Sequence, residues 1–185
     1  MNNSSYNPKY MEMAAKTAKK GIESGCGGPF GCVIIRKSDG KILANTHNTV
    51  VKTNDPTAHG EMNAIREACN NIGNFVLDDC ELYTTSEPCP MCMGAIMWAR
   101  ISKVYSAMKI EDAAKIGFDD KPFYKEMVNY ARSKKDKFVD VEFVENEECK
   151  KVFQFIAENS VRQGSWIEII RDYCVEHNGK IEDII

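Results

Sequence analysis

The sequence predicts an α/β domain, a mixed sheet covered by helices on both faces. Three observations lead there. Helical and strand-like patterns alternate along the chain with no internal repeat, low-complexity tract or Gly/Ser/Pro linker between them. Two strand-like runs are joined by the tight turn Ser38-Asp39-Gly40, which makes an antiparallel hairpin. The later strand-like runs are separated by helical stretches, as parallel neighbours require. At 185 residues the chain reads as a single domain, 1–185, since one domain takes roughly 150 residues. A chain of that size buries about 70% of its unfolded surface without disulfide staples.

Each element has a local reason. Asn7 caps a first helix that has Pro8 at its first position, and Met11, Ala14, Ala15, Ala18 and Ile22 recur at helical spacing as far as Gly25. The continuous apolar run 30–35 is a strand buried on both faces, and 41–48 is its hairpin partner. Asp55-Pro56 repeats the cap-plus-proline signal and opens a second helix that stops near Gly73. A third strand follows over 80–85 and a third helix over 89–100. A short β-compatible run covers 103–107, and a brief helix over 111–116 is ended by Gly117. In 138–144, Val139, Val141 and Phe143 alternate with Asp140 and Glu142, the pattern of an edge strand guarded by charge. From about 146 a helical C-terminal extension is expected. One helix carries Cys149, Val152, Phe153 and Ile156, and a second carries Trp166, Ile169, Ile170 and Tyr173 behind a Ser165/Glu168 capping box.

Composition narrows the function. The chain holds 24 Lys and Arg against 27 Asp and Glu, a net charge of −3. That balance argues against an affinity built on clamping nucleic-acid phosphates. No stretch approaches the ~20 apolar residues of a membrane span, and the lysine-bearing first helix does not read as a secretory signal. A reducing, cytoplasmic setting is expected. There, most of the eight cysteines would be small apolar side chains, and a close pair of them would hold metal or do chemistry.

One such pair stands out. Cys89 and Cys92 are three residues apart at the start of the third helix, so their sulfurs share a face, and the helix dipole favours the thiolate a metal needs. With only three histidines in the chain, His59 is the natural third ligand. Three protein ligands with an open position for water describe a catalytic zinc site, and Glu61 is the neighbouring proton carrier. His59 and Glu61 lie about 200° apart around a helix axis, so both reach one point only if the site sits off the helix end. The pattern His59-Gly60-Glu61 followed by Pro88-Cys89-Pro90-Met91-Cys92 is the His-x-Glu…Pro-Cys-x-x-Cys signature of zinc deaminases.

From these residues outward the chain resembles the cytidine-deaminase-like zinc deaminases, and within them the bacterial guanine deaminases. The similarity runs from Gly27 to about Met127, through Gly28-Pro29-Phe30-Gly31, Asn54-Asp55-Pro56-Thr57-Ala58, Trp98-Ala99-Arg100 and Gly117-Phe118-Asp119-Asp120. The resemblance implies a three-layer α/β/α sandwich with a five-stranded mixed sheet, one zinc ion per chain and hydrolytic deamination of guanine. It implies that His59, Cys89 and Cys92 bind zinc, that Glu61 moves protons and that Asp120 assists ammonia release. Asn48 would hydrogen-bond the base, with Phe30 and Trp98 walling the ring.

Each of these has an ordinary reading too. Phe30 and Trp98 fit a core, Asn48 fits a strand end, and Asp120 fits a cap for the helix that begins near Pro122. The resemblance also implies a homodimer, with C-terminal segments exchanged between subunits. Gly60, however, stands where guanine deaminases usually have alanine, and the chain beyond about Val128 is unlike the family tail. Cytosine, guanosine and tRNA adenosine are the competing substrates. A zinc or nucleobase-binding module without turnover is the competing class, and it requires a fourth ligand among Cys26, Cys32, Cys69 and Cys80.

Overall fold

A computed structural model of the chain describes residues 6–133. Four strands, β1 (Gly31–Arg36), β2 (Ile42–His47), β3 (Cys80–Ser86) and β4 (Lys103–Met108), form one sheet in the order β2-β1-β3-β4. β1 pairs antiparallel with both β2 and β3, and β3 pairs parallel with β4, so the sheet is mixed as expected. It has four strands among the described residues where five were expected. The run 138–144 and the helical patterns beyond 146 lie outside them.

Among the described residues six helices accompany the sheet: α1 (Pro8–Glu23), α2 (Val50–Thr53), α3 (Gly60–Ile72), α4 (Pro90–Trp98), α5 (Ile110–Lys115) and α6 (Lys121–Ser133). The two-residue period of the strands sorts the core into two layers of contact. Cys32 and Ile34 of β1 and Leu82 of β3 pack with Ala64 and Ala68 of α3 and Ile96 of α4. Val33, Ile35 and Tyr83 face the other way, onto Ala14 of α1. α1 comes close enough that a Cβ on Gly31 would overlap the Ala14 carbonyl oxygen and stand 2.9 Å from Ala18 N. Only glycine fits at the start of β1.

The helix starts decide where the chemistry lies. Asn7 caps α1 as expected, its side chain accepting from Lys9 N–H at 3.1 Å. α3 starts later than the Asp55-Pro56 signal suggests. Asp55 Oδ1 accepts from the backbone N–H and hydroxyl of Thr57 (2.8 and 2.7 Å), so the would-be capping carboxylate is spent on a local turn. The helix proper begins at Gly60 with His59 as its extended N-cap (φ −68°, ψ 159°) and ends on left-handed Gly73. α4 begins likewise after an extended N-cap, Cys89 (φ −65°, ψ 169°), with Pro90 in its first turn. It stops short of the expected residue 100 because Arg100 adopts φ 65°. The one-turn α2, for which no periodicity signal exists, follows directly on Asn48 and Thr49.

Candidate active site

Two helix N-termini meet at one edge of the sheet, beside the start of β1 and the ends of β2 and β3. His59 and Cys89 are the two N-caps, and Cys92 lies in the first turn of α4. His59 Nδ1 is 3.6 Å from Cys89 Sγ and 3.6 Å from Cys92 Sγ, and all three atoms lie within 4.8 Å of one another. A tetrahedral zinc with sulfur at about 2.3 Å and nitrogen at about 2.0–2.1 Å holds its S and N ligands roughly 3.6 Å apart, so spacing and donor set both fit that ion. Among the described residues no other His, Cys, Asp or Glu joins the group. Cys26, Cys32, Cys69 and Cys80 are free thiols elsewhere, so none completes the closed shell of a structural site.

The electrostatics suit a metal cation. Hydrogen bonds from Cys92 and His59, together with the Cys92 backbone N–H, hold the Cys89 thiol well below the ordinary range. Cys92 is pushed up by that shared hydrogen bond and by burial. The hydrogen bond to Cys89 raises His59.

Glu61 sits in the first turn of α3 and is 4% exposed. Because His59 is the cap rather than a helical residue, the two side chains converge off the helix end, which removes the angular conflict between them. Glu61 Oε1 accepts from the Thr84 hydroxyl at 2.5 Å, and Oε2 lies 3.5 Å from Cys92 Sγ. Burial pushes its carboxyl above the ordinary range, and the Thr84 bond pulls it partly back.

The group opens onto a cleft of about 450 Å³, lined among others by Phe30, Asn48, His59, Glu61, Cys89 and Asp120. Asn48 N–H donates to Phe30 O at 2.8 Å, and Asn48 Oδ1 accepts from Val50 N–H at 3.1 Å. The amide oxygen is thus taken up within the chain, and the residue lines the cleft. Asp120 starts α6 with its backbone, its carbonyl accepting from Phe123 and Tyr124 N–H. The side-chain turn belongs instead to Asp119, whose Oδ1 accepts from Lys121 N–H at 3.1 Å. The Asp120 carboxylate is thereby left to the cleft, where burial and the Cys89 charge raise it.

Of the eight residues singled out from sequence, the structure brings seven together: six line the cleft and Cys92 lies buried beside it. Trp98 is not among them. It is the last residue of α4, nine positions from Cys89 or roughly 14 Å along the axis, and it is 79% exposed. Neither a core position nor a wall of this chain's own cleft describes it. Sequence reasoning missed Phe118, whose ring meets Phe30 edge-on at 4.9 Å and 88° and lines the cleft. The Gly117-Phe118-Asp119-Asp120 stretch was the signal available for it. Thr84 and Tyr124 were missed as well. The Tyr124 hydroxyl donates to Pro88 O at 2.6 Å and so ties α6 to the turn that carries Cys89.

Residues 4–108 match the zinc-binding region of cytidine and deoxycytidylate deaminases. The chain is 47% identical over 137 residues to a guanine deaminase of Bacillus subtilis (strain 168), covering 74% of this chain and 86% of that one. It is 43% identical over 100 residues to a tRNA-specific adenosine deaminase of Aquifex aeolicus (strain VF5), covering 54% and 64%. Among solved structures, the X-ray structure of guanine deaminase from Bacillus subtilis aligns with a TM-score of 0.75 at 42% identity, over 83% of this chain and 94% of that one.

Proposed function

Because the chain belongs to the family of zinc-binding cytidine and deoxycytidylate deaminases, we propose that it is a hydrolytic deaminase that converts guanine to xanthine and ammonia. The observation that carries this is a buried carboxylate, Glu61, set against a three-residue His/Cys/Cys group beside a cleft that Asn48 lines. The 47% identity to a guanine deaminase over most of both chains supports the choice of base.

His59, Cys89 and Cys92 would hold one zinc, which when bound supplies Lewis acidity and lowers the pKa of a water to about 7. Glu61 takes a proton from water at Oε2 and returns it to a ring nitrogen of the base. Its burial raises the carboxyl above the ordinary range, which favours taking up the proton. Asp120, raised by burial, assists the second transfer, the one that releases ammonia. The Nδ2 donors of Asn48 match the adjacent O6 and N7 acceptors of guanine. Adenine places an amino donor at one of those positions, so the same amide selects against it. Phe30, braced edge-on by Phe118, walls the ring.

A second reading, deamination of adenosine in tRNA, is favoured by the identity to the Aquifex aeolicus enzyme. The net charge of −3 and the Asn48 donors weigh against it. Trp98 walls no ring in its own chain. With Met97 it forms an exposed apolar end of α4 that a second copy would cover, and the protein is proposed to be a cytoplasmic homodimer, with its C-terminal segments exchanged between subunits. No helix among the described residues is long and apolar enough to cross a membrane.

The test is ammonia release by the zinc-loaded protein over guanine, cytosine, adenine, their nucleosides and an adenosine-bearing tRNA. Guanine turning over fastest is the expected result. Turnover confined to any other substrate would overturn the assignment.

A further inference from the structure

Glu61 has two oxygens with different neighbours. Oε2 faces the ligand cysteine Cys92 at 3.5 Å, while Oε1 is held from below by Thr84 at 2.5 Å. Thr84 lies in the middle of the sheet, paired with Cys32 of β1 on one side and Ser106 of β4 on the other, and it is fully buried. By strand alternation it points to the same face as Leu82, the face that α3 covers. A β-branched residue on a doubly flanked strand has few rotamers, so its hydroxyl is a fixed point. Its strand partner Cys32 is buried too, and burial and then the Glu61 charge raise that thiol. Among the described residues, Thr84 and Cys92 are the side chains that hydrogen-bond the Glu61 carboxylate.

We propose that Thr84 is the positioning residue of this site: by donating to Oε1 it fixes the plane of the Glu61 carboxylate, so that Oε2 is the oxygen that exchanges protons. The assignment rests on the deaminase reading above for its role in turnover. During each transfer Oε2 gains and then gives up one proton, and Oε1 keeps its Thr84 bond. A hydroxyl is suited to this because it donates to Oε1 both when the carboxylate is ionised and when Oε2 carries the proton, Oε1 then being the carbonyl acceptor. Valine is nearly the same shape but offers no hydroxyl, whereas serine keeps it.

The experiment compares the full-length zinc-loaded wild type with Thr84→Val and Thr84→Ser, recording kcat, KM, zinc stoichiometry, Tm and the infrared carboxylate band of Glu61. That band is isolated by subtracting the spectrum of each protein carrying Glu61→Gln in addition. In Thr84→Val, kcat with guanine falls about tenfold or more while KM stays within about twofold, since the lost interaction acts in the transition state. Zinc remains stoichiometric and the Glu61 band shifts. Thr84→Ser recovers most of kcat and keeps the wild-type band. An unmoved band in Thr84→Val, or a Thr84→Ser protein as slow as Thr84→Val, overturns the proposal. So does a loss of rate that merely follows lost zinc or lowered Tm. If the wild type does not deaminate guanine, the substrate assignment fails by itself. The band then decides alone: a shift in Thr84→Val but not in Thr84→Ser upholds the positioning role, and any other pattern overturns it.

Discussion

Replacing Gly27 with alanine tests the proposed placement of the Asn48 amide against the base without mutating Asn48 itself. The added methyl carbon would overlap Asn48 Oδ1 and stand 2.9 Å from the Asn48 main-chain oxygen. An ordinary carbon–oxygen approach is about 3.3–3.6 Å. Asn48 is buried, and its Oδ1 is already held by Val50 N–H at 3.1 Å, so the amide yields only by breaking that bond and leaving its rotamer. A lost hydrogen bond costs about 1 kcal/mol and an off-rotamer side chain about as much again. The sum of about 2 kcal/mol corresponds to a Tm lower by about 4–8 °C for a chain of this size.

The same displacement should remove the proposed Nδ2 contact to the base, worth about five- to tenfold in KM. Steady-state ammonia release at stoichiometric zinc reads KM and kcat separately. KM should carry the larger change, and Asn48→Ala added to Gly27→Ala should raise it little further, because the two act through one contact. A Gly27→Ala protein with KM within about twofold of wild type would refute the placement of Asn48 against the substrate.

Glu61→Gln should keep its zinc and lose at least about 100-fold in rate, as metal analysis and turnover on one preparation will show; near-wild-type turnover would remove Glu61 from the proton path. His59→Ala should lose the metal itself, and full zinc occupancy measured by atomic emission would end its assignment as a ligand. Away from the site, the hydrogen bond from Arg36 holds the Asp39 carboxyl down at about 2. Because the folded value lies below the unfolded one of about 3.9, this pair stabilises the protein above that pH and its contribution is lost as pH falls toward the folded value. In Arg36→Ala, a carboxyl NMR titration should find Asp39 closer to the ordinary aspartate range.

Much of this was legible in the chain because ligand chemistry constrains both residue type and spacing. Cys89 and Cys92 are spaced so that one helix turn can offer both sulfurs to a metal, and Pro88 and Pro90 beside the start of α4 place them at its terminus. The exact start of α3 was not legible. Asp55-Pro56 carries every mark of a cap, and only the Thr57 bonds in the folded chain show the aspartate spent on a turn. Apolar character located the third helix but could not orient it, because α4 is apolar on all sides. Trp98 therefore fitted core and cleft alike and occupies neither. Thr84 was invisible for a related reason: threonine is an ordinary strand residue, and its meaning depends on which carboxylate the fold sets above it.

The most direct measurement of the central claim runs the reaction in 18O-water with guanine labelled by 15N at its amino group. Hydrolysis at C2 predicts xanthine carrying one 18O and ammonia carrying the 15N, both absent from the Glu61→Gln protein. Unlabelled xanthine, 15N left in the base, or no turnover of guanine by the zinc-loaded protein would contradict the account.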